Sequence, residues 1–115
     1  MPVIPRNHDP QNFEVVAGDS VDLRVPITDL SDGQPTDLSG ATVKWRVNAA
    51  TPVLLQSPAG VEIVDPATDG IIIIHVSAGD LTEVGTFAHQ CEVTLGSSVF
   101  TVFEGVVRVK TDYVP

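Results

Sequence analysis

Along residues 20–27, SVDLRVPI, apolar side chains take every second place, with Val21, Leu23, Val25 and Ile27 on one side and Asp22 and Arg24 on the other. A strand with one face on a core and one in water has this period of two. The pattern recurs in ATVKWRVNA (41–49), with Val43, Trp45 and Val47 inward and Lys44 and Arg46 outward. It recurs again in TFAHQCEVTL (86–95), where Phe87, His89, Cys91, Val93 and Leu95 share a side. Shorter strands are predicted at FEVVAG (13–18), VLLQS (53–57) and GVEIVD (60–65). Pro26 cannot donate to a ladder, which puts its strand at a sheet edge or ends its pairing there. TDLSDGQPTDLSG (28–40), PATDG (66–70) and GSS (96–98) carry the residues of loops and tight hairpins. Only SAGDLTEVG (77–85) has room for a helical turn.

Two stretches break the alternation. In IIIIHV (71–76), Ile72, Ile74 and Val76 can face a core, which turns Ile71, Ile73 and His75 outward. In SVFTVFEGVVRV (98–109), Val99, Thr101, Phe103 and Val107 fall on one side and Phe100, Val102 and Val106 on the other, with Gly105 a candidate bulge. Burying one large apolar side chain is worth roughly 1.5–3 kcal/mol, so strands apolar on both faces call for cover on both. The cover is either the chain's own ends or another subunit, and the second is the reading adopted. The first twelve residues, MPVIPRNHDPQN, hold three prolines and no periodicity, and read as an extended arm with Val3 and Ile4 to bury. The expected organisation is an arm over 1–12, a β-sandwich over 13–110 and a tail over 111–115. The residues expected to dock a partner are Val3, Ile4, Ile71, Ile73, Phe100 and Tyr113.

Seven or eight short strands with almost no helix, in a chain of 115 residues, predict one all-β domain: an antiparallel two-sheet sandwich of immunoglobulin-like type. The single cysteine, Cys91, excludes an intramolecular disulfide, so the fold rests on packing, as suits synthesis in a reducing compartment. No secretory signal is visible at the start, and no apolar run is long enough to span a bilayer. The expectation is a soluble product made in a cytoplasm.

Fifteen acidic against six basic residues give a formal charge of −9, which argues against nucleic acid and against anionic membrane as partners. The acidity is spread out and reads as a solubilising surface. His89 and Cys91 could pair as base and nucleophile, but both lie on an apparent core face, where a thiol is inert. Asp29, Asp32 and Asp37 crowd one loop and Asp65 and Asp69 flank another, yet the spacing of a calcium loop is missing and aspartate is common in turns. No zinc spacing and no phosphate-binding glycine loop occurs. The expectation is therefore no enzyme, no cofactor and no metal.

DLSGATVKW (37–45), SPAGVEIVDPATDGIIIIHVSAGDL (57–81), GTF (85–87) and TVFEGVVRV (101–109) follow one another in an order that resembles small immunoglobulin-like virion proteins of tailed bacteriophages. These are related to the N-terminal domain of the phage baseplate upper protein, and the likeness covers about residues 20–109. Phe87 stands where such modules more usually carry tyrosine. Baseplate proteins of that kind continue beyond this module, which widens the expectation to capsid decoration, neck or tail accessory. The resemblance implies a non-enzymatic structural protein of a virion, made in the host bacterial cytoplasm. Its partners would be major capsid or tail and baseplate proteins, in a homo-oligomer or symmetric multicopy array. It brings no catalytic residues. The alternative is an adhesion module binding a glycan or receptor through loops bearing Asp29, Asp32, Asp65 and Asp69.

Overall fold

Alternation along the sequence becomes two sheets closing on one core. The structure, a computed structural model, describes residues 11–28 and 33–114. Its strands are β1 (Phe13–Val16), β2 (Val21–Pro26), β3 (Thr42–Val47), β4 (Val53–Gln56), β5 (Val61–Ile63), β6 (Ile71–Val76), β7 (Gly85–Leu95) and β8 (Ser98–Lys110). They form a five-stranded sheet in the order β1-β8-β7-β3-β4 and a three-stranded sheet in the order β2-β6-β5. The fold is all-β, and Cys91 is a buried free thiol.

The predicted inward residues do build the core. Val43, Trp45, Val47, Cys91 and Val93 of the large sheet are fully enclosed, as are Ile72, Ile74 and Val61 of the small one. β2 lies at an edge, paired only with β6, which satisfies the missing donor of Pro26. Gly96 and Ser97 make the two-residue turn between β7 and β8, with Leu95 opposite Ser98.

Three expectations are corrected. The pairing is not wholly antiparallel: β1 runs parallel to β8, Phe13 opposite Val107. The one helical turn is not in 77–85 but over Ala67–Asp69, closed by Gly70 at φ 66°. Gly70 also lies against the backbone of Ile27 and Thr36, where a Cβ would stand 2.7 Å from both carbonyl oxygens. The bulge in β8 is at Val102, not Gly105, since Cys91 pairs with Phe103 and Glu92 with Thr101. One extra residue reverses the alternation, so Val102 and Phe103 are both buried.

Gly105 serves a different purpose. It pairs with His89, and a Cβ on it would collide with the backbone carbonyl of Gln11 and come within 2.8 Å of Asn12 Oδ1. The missing side chain is a notch through which the segment before β1 reaches the core. Gln11 N–H donates to the Glu104 carbonyl at 3.1 Å, and Val106 N–H donates to Asn12 Oδ1 at 3.0 Å. Residues 11 and 12, expected in the arm, are thus held on β8.

Candidate functional site

Three places bring chemistry-bearing side chains together. The first is the buried face of β7. His89 accepts from Trp45 Nε1 at 3.0 Å on Nδ1 and gives its Nε2 proton to the Gln11 carbonyl. The rings of Phe13, Trp45 and Phe103 surround it, with centroids 5.2, 5.8 and 5.9 Å away. Burial pushes its pKa below the usual histidine value, partly offset by the bond to Gln11. Cys91, two residues on, is sealed in the core, and burial drives its thiol far above the ordinary range. Both ring nitrogens of His89 are engaged, so it has none free to act as base for that thiol. The pair is a packing feature.

The second place is the outer face of the small sheet. His75, on the central strand, stands between Asp22 of β2 and Glu62 of β5, 2.8 Å from one carboxylate and 2.9 Å from the other. Only a doubly protonated imidazole donates to both. The bond to Asp22 and then that to Glu62 hold the pKa above its usual value. Ile71 and Ile73 share this face and are half-buried, with Ile73 in register between Arg24 and Glu62, whose stems flank it.

The remaining docking residues scatter. Phe100 is not on the outer face: the bulge turns it inward, where it packs half-buried against the core opposite Val93. Val99 is exposed in its place. Tyr113 lies open at the C-terminal end, 89% exposed. Val3 and Ile4 lie outside the described residues, as do Asp29 and Asp32. Asp65 and Asp69 stand exposed on the turn between β5 and β6, close to Asp37, because Leu38 N–H donates to the Ala67 carbonyl at 3.0 Å. Asp37 is tied up by Ser39, whose hydroxyl and backbone N–H hold its carboxyl below the ordinary range. Among the described residues, no three histidine, cysteine or acidic side chains are grouped so as to hold a metal ion.

The third place was not anticipated as a site. Cross-strand register sets Leu54, Arg46, Gln90 and Glu104 in one row across the outer face of the large sheet, and Asn48, Ala88 and Val106 in the next. All of these but Leu54 line a shallow groove across Ala88. Alternation alone turned Lys44 and Arg46 outward, but which side chains stand beside them depends on strand order, which the alternation does not encode.

The chain matches no protein-family model and no curated protein. Among the described residues, no helix is long and apolar enough to cross a membrane.

Proposed function

We propose that this protein is a non-enzymatic structural component of a tailed-phage particle, an immunoglobulin-like sandwich docked on a larger repeating assembly as capsid decoration, neck or tail accessory. The observation that carries this reading is where the resembling segments fall. DLSGATVKW supplies the buried Leu38, Val43 and Trp45, the isoleucine segment supplies Val61, Ile72 and Ile74, and the last segment supplies Val102, Phe103 and Val107. The likeness therefore lies in the residues that specify the fold and not in surface chemistry.

The strand order is compatible with an immunoglobulin-like sandwich, in which a second, a fifth and a fourth canonical strand share one sheet and the last two lie beside the third in the other. The engaged nitrogens of His89 and the sealed Cys91 favour a structural over a catalytic role. Half-buried Ile71 and Ile73 and exposed Tyr113 are the described residues proposed to meet the assembly.

Mass spectrometry of purified particles from the phage that encodes the chain tests this. Detection in a fixed ratio to a shell or tail protein is the expected result, and absence from intact particles overturns it. Deleting residues 1–10, which leaves Gln11 and Asn12 on β8, is expected to lower incorporation.

A further inference from the structure

The outer face of the large sheet differs in charge from the rest of the chain. Lys44, Arg46, Arg108 and Lys110 all point outward there, four of the six basic residues in the sequence. Among the described residues, Glu14, Glu92 and Glu104 are the acidic side chains on that face, three against four cations. The other described residues have one basic side chain, Arg24, against nine acidic ones, a net −8.

Within this face Lys110 is neutralised by Glu14 at 2.9 Å. Among the described residues, Lys44, Arg46 and Arg108 make no ion pair. Arg46 borders the groove beside the Asn48 amide, the Gln90 amide donates to Glu104 at 3.3 Å, and exposed Val106 adds an apolar rim, with exposed Leu54 next to Arg46 on β4. The groove's one carboxylate, Glu104, lies two strands from Arg46 and is held by the Gln90 amide, so the guanidinium keeps its donors for an incoming carboxylate.

The same molecule carries a matching surface at one end. The turn between β5 and β6 presents Asp65, Pro66 and Asp69, all exposed. Neither of these two carboxylates takes a hydrogen bond or ion pair among the described residues. No lysine or arginine occurs in residues 57–70, nor in the neighbouring 27–41 connection. The opposite end differs. There Asp80 accepts from Ser77 N–H at 2.7 Å and Glu83 from Ala50 N–H at 3.1 Å, so these two carboxylates are already engaged.

We propose that copies of this chain associate head to tail, the Asp65–Asp69 turn of one seated in the Arg46 groove of the next. The carboxylates meet the Arg46 guanidinium and the Asn48 amide, and the Pro66 ring meets Ala88 beside Val106. Two different surfaces meet, so the contact is heterologous and repeats along a row or closes into a ring. A turn on a sheet face covers less than the roughly 800 Å² per partner of a standard interface, so the contact is weak and depends on concentration. Each copy is strongly acidic, but at about 0.15 M salt charges more than about 8 Å apart are screened while those in contact are not. The proposal rests on charge and geometry alone and not on the phage reading.

Sedimentation equilibrium of the isolated protein, from micromolar to about millimolar, tests it. The mass should rise above the 12.2 kDa monomer at about 0.15 M salt and return to it at about 1 M. Arg46→Glu should weaken association at least about tenfold. Arg24→Glu, which alters net charge equally but lies on the small sheet, should leave it unchanged. Asp65→Lys with Asp69→Lys should abolish it, and mixing that variant with Arg46→Glu should restore association that neither shows alone. A monomer throughout the range, equal losses for Arg24→Glu and Arg46→Glu, or a silent mixture would overturn the proposal. Each result is independent of whether the protein is found in phage particles.

Discussion

The indole N–H of Trp45 donates to Nδ1 of His89 at 3.0 Å, joining two residues 44 positions apart in the core of the large sheet. With Nε2–H given to the Gln11 carbonyl, the imidazole is neutral and its tautomer is fixed. Trp45→Phe removes the indole donor, leaves a buried nitrogen unpaired and opens a cavity. The expected cost is about 2–4 kcal/mol by urea denaturation.

Protonating His89 would set an N–H on Nδ1 against the N–H of Trp45, and burial further disfavours the charge. The unfolded chain binds that proton near pH 6.5, whereas the folded chain resists it to lower pH. The stability from this group is therefore full above about pH 6.5 and lost as pH falls below it, at up to about 1.4 kcal/mol per pH unit. His89→Gln keeps an acceptor for Trp45 and a donor for Gln11 without titrating. It should flatten this part of the acid slope, read as the urea midpoint against pH.

His75 acts in the opposite sense. Its pKa is raised by Asp22 first and Glu62 second, so its contribution is present below about pH 6.5 and disappears as pH rises through the raised value. The site is exposed and screened by salt, so the effect on stability is small, but the titration is direct. NMR should show His75 titrating above His89, and Asp22→Asn or Glu62→Gln should each lower the His75 midpoint. A His75 midpoint below that of His89 would contradict the geometry.

Gly105→Ala places a methyl group where the Gln11 carbonyl sits. The segment before β1 must lift away, which costs His89 its Nε2 partner and Val106 its bond to Asn12. A loss of about 1–3 kcal/mol is expected, with faster amide exchange at Val106. Gly79→Ala, where a Cβ meets nothing within 4 Å, should be close to neutral.

Cys91 should be silent towards a thiol reagent in the folded protein and react fully in denaturant, since its thiolate is suppressed and its sulfur enclosed. Cys91→Ser buries a hydroxyl in place of the sulfur and should cost about 1–3 kcal/mol, more than Cys91→Ala if the hydroxyl finds no acceptor.

The sequence by itself determined which residues face inward on β2, β3 and β7. A period of two shows along β2, β3 and β7, so burying Val43, Trp45 and Val47 requires no knowledge of their neighbours, whereas the four isoleucines of β6 carry no such period and call only for cover on both sides. It also determined that no disulfide holds the fold together, since there is one cysteine. Only the tertiary structure decided that β1 lies parallel to β8, that Val102 bulges and turns Phe100 inward, and that Gly105 makes way for Gln11. Those outcomes depend on which strands are neighbours and in what register, and non-local pairing leaves no period in the chain. The grouping of cations on one sheet face has the same origin: Lys44 and Arg46 lie more than sixty positions from Lys110, and strand order alone sets them on one surface.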